Sequence, residues 1–445
     1  MPLFRRFALL LLMLAPGWSG TIAAQTLSWR ELPTAPYAGR HNDAFFVSAS
    51  SGWIVNGDGE IYRTQDGGSS WSLQFRKSSA HFRSVGFLNA LRGFAGNVGA
   101  GEFGATDRSP LYQTSDGGQS WTPIPGWNGR TPTGLCGMQV VNDSVVVAVG
   151  RVRGPASFAR TTDGGAVWRS TDMSAYAAGL IDVYFSHPDT GFVVGLTNVD
   201  HELSSGIILY TEDGGDTWET RFRSTRTGEW CWKISFPSAR VGYASLQRNS
   251  RSPIYFLKTS DGGKTWDEKL FSESYYFVQG IGFIDENHGW IGGNSTMPVY
   301  ETVDGGETWW AESIRPRLNR FRFLGDSLAY AVGRSVYKLA DWSTVANDPV
   351  PIRMDATVNQ NFPNPFDTST SIRFTVGSPS RVTLDVYDLL GRRVTRLVGG
   401  FRAPGDYSIE WNGRDDSGSR MSNGTYLYVL RTGVDSHVRS MHLMR

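Results

Sequence analysis

The chain has 445 residues, with 43 basic against 42 acidic side chains, 19% charged residues, 13% aromatics and 52 glycines. A near-neutral charge with no basic stripe speaks against a nucleic-acid partner, and an aromatic-rich, charge-poor chain is far from the profile of disorder. The mix suits many short strands joined by tight turns, an all-β composition.

Residues 1–24 read as a signal peptide. Arg5 and Arg6 form a basic start, Phe7 to Leu14 an apolar run of eight, and Ala23-Ala24 a small-residue cleavage point. Eight apolar residues span only about 12 Å as a helix, too short to cross a bilayer. No later segment is apolar enough to do so. The expectation is export across the inner membrane, then secretion or attachment to the outer cell surface, with no membrane span after signal removal.

Beyond residue 24, self-similarity dominates. Six segments share one frame, first as Thr64-Gln-Asp66-Gly67-Gly68-Ser-Ser70-Trp71. The aspartates are Asp66, Asp116, Asp163, Asp213, Asp261 and Asp304; the tryptophans are Trp71, Trp121, Trp168, Trp218, Trp266 and Trp309. The aspartate spacings of 50, 47, 50, 48 and 43 residues match a four-stranded propeller blade. Upstream of the frame, a Phe is followed six residues later by Gly, as in Phe87 and Gly93 or Phe283 and Gly289. The carboxylate can accept backbone N–H bonds within its own turn. The glycine pair supplies positive φ. The tryptophan covers the turn with an apolar face.

The frame resembles the Asp-box, or bacterial neuraminidase repeat, of sialidases, sortilin-type receptors, xyloglucanases and the photosystem II assembly factor family. That resemblance implies a β-propeller over residues 25–342, with the box residues building the scaffold on the outer rim. The upstream element recurs at Phe321 to Gly333 and Val336 to Asp341, but the glycines and the closing strand are missing there. Leu27-Ser28-Trp29 resembles the strand that comes after a box. A seven-bladed β-propeller is therefore expected, the N-terminal strand closing the last blade and Trp29 lying beside Val336 to Asp341.

Residues 343–356, with Pro349 and Pro351, read as a linker. Residues 357–445 change texture: alternating strands near 371–376, 382–386, 393–398, 406–411, 424–431 and 437–444 suggest an Ig-like β-sandwich. Asn361-Phe362-Pro363-Asn364-Pro365-Phe366, the turn at Gly391 and the terminal Arg445 resemble the type A C-terminal sorting domain of the type IX secretion system. This resemblance implies the type IX secretion machinery as a partner, and a fold like that of flagellar hook-capping proteins. Asp415-Asp416 reads as a polar hairpin turn rather than a calcium pair.

Chemistry is sparse. The Arg-Ile-Pro motif of sialidases is absent; Ile314-Arg315-Pro316 is scrambled and lies after the last box. No Ser-His-Asp set, HExxH or phosphate loop is evident. His41, His81, His187, His201 and His288 are scattered and read as exposed loop residues. Cys136 and Cys231 fall on non-neighbouring blades, and a bridge between them stays open. No cofactor, no metal site and a monomer are expected. Aligning the blades on the Phe gives two axial rows. The first is Asn42, Arg83, Cys136, Ile181, Trp232, Gln279 and Asn319; the second is Asp43, Ser84, Gly137, Asp182, Lys233, Gly280 and Arg320. Strand alternation lets only one row point fully at the axis. Arg83, Asp182, Trp232, Gln279 and Arg320 depart most from the repeat and are the candidate ligand-binding residues. The reading is an exported, non-catalytic binding protein for a protein or glycan. The alternative is a secreted sialidase- or xyloglucanase-like glycoside hydrolase whose two carboxylates would stand about 5 to 9.5 Å apart.

Overall fold

A computed structural model describes residues 27–342 and 357–444, apart from 294–296, 313, 315–316, 377–379, 403–404 and 433–435. The segments expected to be a signal peptide and a linker, and Arg445, lie outside the described residues, as do Arg315 and Pro316. The chain divides into two compact units, Met1–Ala346 and Asn347–Arg445. Among the described residues helix is confined to one 3-10 turn, His201–Leu203, and no helix is long and apolar enough to cross a membrane.

The first unit is a succession of seven antiparallel sheets, numbered in chain order. Their first strands are His41–Phe46, Phe82–Phe87, Gly137–Val140, Gly179–His187, Glu229–Ser235, Val278–Phe283 and Arg320–Phe323. Sheets 1 to 6 each build four strands from consecutive chain; sheet 3 adds a short parallel fifth, Asn128–Gly129. Sheet 7 takes its fourth strand from the other end of the described chain. Leu27–Glu31 pairs antiparallel with Val336–Asp341, Trp29 opposite Leu339, as the sequence led one to expect. Trp29 then packs edge-on against Trp290 at 5.4 Å and near Phe321 at 5.9 Å.

Adjacent sheets are glued by aromatics. A second-strand ring stacks on the Phe at the end of the first strand of the next sheet or just beyond it: Trp53 on Phe87 at 3.5 Å, Phe192 on Phe236 at 5.3 Å and Tyr243 on Phe283 at 3.5 Å. Tyr330 of sheet 7 stacks on Phe46 of sheet 1 at 3.6 Å, and Asn319 Nδ2 donates to the His41 carbonyl, so the last sheet meets the first. These rings explain the Phe-to-Gly spacing. A Cβ on Gly93 would stand 2.5 Å from the Phe87 ring, and one on Gly289 would stand 2.4 Å from Phe283.

The repeated corner joins the third and fourth strands of sheets 1 to 6. In sheet 4, Thr211 Oγ1 donates to Asp213 Oδ1 at 2.8 Å and accepts from the Gly215 N–H at 2.9 Å. Thr217 donates from its N–H and its hydroxyl to the two Asp213 oxygens. The other five corners repeat the Thr-to-Asp bond. These bonds hold the carboxyls low, Asp116 at about 2 and Asp261 at about 2. The first glycine N–H bonds back to the turn between strands one and two, as Gly214 to the Asp189 carbonyl at 2.8 Å. Its carbonyl accepts from the preceding sheet: Trp53 to Gly117, Arg160 to Gly214, Lys258 to Gly305.

The second unit packs a three-stranded sheet, with edge strands Thr357–Val358 and Gly405–Trp411, against a four-stranded one around Trp411, Tyr428, Leu384 and Ile372. Asn361 is buried: its N–H donates to the Tyr428 hydroxyl and its Nδ2 to Thr370 Oγ1. The Pro363 carbonyl accepts from Asn361 Nδ2 and Thr370 Oγ1, and Asn364 Oδ1 accepts from the His442 N–H. Phe366 beyond Pro365 is buried, so the Asn-Pro segment is stitched to both sheets. Gly391 takes φ +77° in the turn closed by Asp388. Asp415 Oδ1 accepts from Ser417 and Ser419 within its own turn, and Asp416 accepts from the Arg396 N–H.

Substitutions at the closing strand and at the corner probe these contacts. Trp29→Ala removes the buried indole that seats the closing strand, and is expected to cost about 3–5 kcal/mol. Urea unfolding monitored by tryptophan fluorescence measures it, since Trp411 is the sole tryptophan beyond residue 342. Gly215→Ala and Gly101→Ala both place a side chain at positive φ, +96° and +86°. At Gly101 the space is open, while at Gly215 the new Cβ would meet the Phe158 ring at 2.3 Å. Gly101→Ala should cost about 1–2 kcal/mol, and Gly215→Ala about 1–3 kcal/mol more; equal costs would mean the corner is not a packing constraint.

Candidate functional site

Both axial rows converge, which corrects the expectation that only one could. The physical reason is a β-bulge in the first strand. Pairing skips a residue between His41 and Asp43, Phe82 and Ser84, Leu180 and Asp182, and Val278 and Gly280, and skips two between Cys231 and Ile234. The skipped residues are Asn42, Arg83, Ile181, Gln279 and the pair Trp232-Lys233. A bulge sets two consecutive side chains against one partner and breaks strict alternation.

The second row closes into a charge cluster. Arg320 of sheet 7 reaches across to sheet 4, its two terminal nitrogens on the two Asp182 oxygens at 2.9 and 2.8 Å. Its Nε lies 3.2 Å from Asp43 of sheet 1, which Arg322 also holds at 2.8 Å. Lys233 Nζ is 3.8 Å from Asp182. All but Arg322 are buried. Burial raises the Asp182 carboxyl, but Arg320 and Lys233 together overcome it and hold it down at about 2. Burial and then Arg320 push Lys233 down to about 7.

The first row lies toward the end where the first strands begin. Asn42 Nδ2 donates to the Phe82 carbonyl, Asn319 Oδ1 accepts from Arg40 Nε, and Gln279 donates to Gln247. Arg83 of sheet 2 lies 5.3 Å from the Trp232 ring of sheet 5, on the far side of the succession, and 5.4 Å from Phe103 on the loop after its own second strand. Its relative exposure is 3%, and among the described residues its guanidinium has no hydrogen bond or ion pair. Trp232 is parallel to Trp230 at 6.2 Å. Phe103, 45% exposed, covers this mouth and also stacks on His81 at 5.0 Å.

The five residues singled out by sequence are all buried, but they divide. Asp182 and Arg320 belong to the salt-bridged layer, whereas Arg83, Trp232 and Gln279 belong to the mouth. Sequence reasoning missed Arg40, His81 and Phe103. The histidines are not uniformly exposed. His41 is fully buried, its Nε2 donating to the Pro36 carbonyl, and His288 pairs with Glu301 at 2.6 Å. Both sit at strand starts, where the fold turns inward. Cys136 and Cys231 are free, buried thiols; burial pushes Cys136 up to about 12, so it stays protonated. The six box aspartates and tryptophans stand at the strand three-to-four corners, away from this mouth.

Asp43 and Asp182 are two carboxylates facing one centre, the arrangement a glycoside hydrolase requires. The Arg320 guanidinium lies between them and forms an ion pair with each. It occupies the volume a glycosidic oxygen and water would need.

Residues 363–433 match the FlgD Ig-like domain. A photosystem II assembly lipoprotein, Ycf48, of Synechococcus sp. (strain CC9902) is 30% identical over 32% of this chain and 39% of its own length, so the chain spans about two fifths of that relative. The chloroplast photosystem II stability/assembly factor of Oryza sativa subsp. japonica is 22% identical over 64% of this chain and 74% of its own. A xyloglucanase of Paenibacillus sp. is 25% identical over 37% of this chain and 19% of its own. Among solved structures, YCF48 bound to D1 peptide superposes with a TM-score of 0.53 at 19% identity, over 70% of this chain and 95% of that one. An ancestral GH74 enzyme superposes at 0.54 and 12%, over 94% and 64%. At such identities the likeness shows fold alone: an all-β chain with propeller-like neighbours and a C-terminal Ig-like domain.

Proposed function

We propose that this chain is an exported, non-catalytic binding protein whose seven sheets form a seven-bladed propeller of the Asp-box type. Its mouth, around Arg83, takes a segment of polypeptide. The C-terminal Ig-like domain serves as a sorting domain for a type IX secretion system, delivering the protein to the medium or the outer cell surface. The observation that carries the binding reading is the buried Arg83 guanidinium, held between two aromatic rings with no partner of its own among the described residues. Aromatic and arginine side chains in a desolvated pocket are what binding hot spots are made of. The solved Ycf48 neighbour carries a bound peptide, which favours polypeptide over glycan as the ligand class. Against the hydrolase alternative, the carboxylates Asp43 and Asp182 at the centre are both committed to Arg320.

Two experiments test this. Incubation of the full chain with xyloglucan and sialyl-oligosaccharides should release no new reducing ends or sialic acid; release that disappears in Asp182→Asn would overturn the non-catalytic reading. In a bacterium with a type IX system, removal of residues 357–445 should leave the protein in the periplasm, and normal surface delivery of the truncated chain would refute the sorting role.

A further inference from the structure

Resting on the peptide-binding reading above, we propose that the group captured at this mouth is a carboxylate, gripped by Arg83 with Arg40 beside it, on a peptide that presents either a free C-terminus or an acidic side chain.

The charge inventory leads there. Around the centre stand Arg40, Arg83, Lys233, Arg320 and Arg322, against Asp43 and Asp182. Both carboxylates are consumed by Arg320, Arg322 and Lys233. Glu102, the other acid near Arg83, lies 3.9 Å from Arg151 and accepts the Arg153 N–H at 2.7 Å. The thiol of Cys136 is protonated and offers no counter-charge. Two guanidiniums are left over. Arg40 has one hydrogen bond, to the neutral Asn319 amide, and Arg83 has none among the described residues. They also repel each other: burial and then Arg83 hold Arg40 low, and burial, Arg83 and Arg40 together push His81 down to about 3. An uncompensated buried cation is costly, and natural cores seldom keep one without a use for it.

The geometry selects a planar anion. Phe103 and Trp232 lie against Arg83 at 5.4 and 5.3 Å, leaving the nitrogen-bearing edge of the guanidinium for the two parallel bonds a carboxylate accepts. The indole N–H of Trp232, whose ring lies against Arg83, and Gln279 Oε1 of the same axial row are buried and unpaired, one donor and one acceptor, the complement of a peptide unit. Phe103 is at φ +48° on a loop with Gly99, Gly101 and Gly104 at positive φ, so the cover over Arg83 is a side chain on a specialised backbone and not a strand.

The test uses the immobilised full chain and four pools of random pentapeptides: free or amidated at the C-terminus, each with or without Asp and Glu. Retention should be at least tenfold greater from pools bearing a carboxylate than from the amidated pool without Asp and Glu. The free-terminus and acidic-side-chain pools identify which source is used. Arg83→Met should abolish that enrichment while its melting temperature equals or exceeds the parent's, because a buried unpaired charge is gone; Arg83→Lys should keep part of it. Equal retention from all four pools overturns the carboxylate proposal and leaves peptide binding standing. No retention from any pool overturns both. Enrichment that persists in folded Arg83→Met removes Arg83 from the site.

Discussion

The whole N-terminal unit depends on how closely one sheet can approach the next, and two glycines set that distance. At each corner the first glycine ties its own sheet together through its N–H, and at four of the six, Gly67, Gly117, Gly214 and Gly305, it receives the previous sheet through its carbonyl. The second has no Cβ, so an aromatic ring of the previous sheet can lie where a methyl would stand, as Phe192 does over Gly263 at 2.3 Å from that position. The aspartate holds this corner in shape by accepting from the residues four positions on. Its carboxylate is thereby spent on backbone geometry, which is why the most repeated acid in the chain takes no part in the site.

That close approach brings the first strands together and creates the problem the axis must solve. Seven strand starts crowd into a small volume, and in five of them a bulge defeats alternation. Apolar filling is used on one side, where Cys136, Ile181, Val98 and Trp230 cluster. The remainder is filled by charge. Arg320 bridging Asp182 and Asp43 links sheet 7 to sheets 4 and 1 through one planar group. A lone charge there would be prohibitively costly, but a bidentate pair with further donors compensates it. The cluster acts as a floor, and what lies above it is the mouth.

Much of this was legible in the residues. Six copies of one frame marked the sheets up to the sixth, and the likeness of Leu27-Ser28-Trp29 to a box-following strand marked the pairing of the seventh. Strand positions in residues 357–445 came from alternation within a few residues. The departures Arg83, Asp182, Trp232, Gln279 and Arg320 were visible because a repeat makes exceptions conspicuous. Their division into two layers was not. A bulge leaves no mark in hydrophobic periodicity when both neighbours are buried, so the sequence could not say that Asn42 and Asp43, or Trp232 and Lys233, share a direction. Phe103 was hidden for a different reason. It lies on the long loop between the second and third strands of sheet 2, outside the repeated frame, and an exposed aromatic in a glycine-rich loop carries no periodic signal.

Counter-charge separates the two arginines that the sequence placed on equal footing. Arg320 and Arg83 both enter the centre from first strands, and both are buried. Arg320 meets two carboxylates, which outweigh its burial and raise its pKa, so its charge is fixed. Arg83 meets two rings and a protonated thiol, with Glu102 nearby but engaged by Arg151 and the Arg153 N–H, and burial lowers it. A cation–π contact offsets only part of the hydration a guanidinium loses on burial. The fold therefore stores an unmet electrostatic demand beside a salt-bridged cluster whose two carboxylates are both paired. The charged carboxylates at the centre are all paired; the guanidinium left at the mouth without a hydrogen bond or ion pair among the described residues is where an external partner gains most by binding.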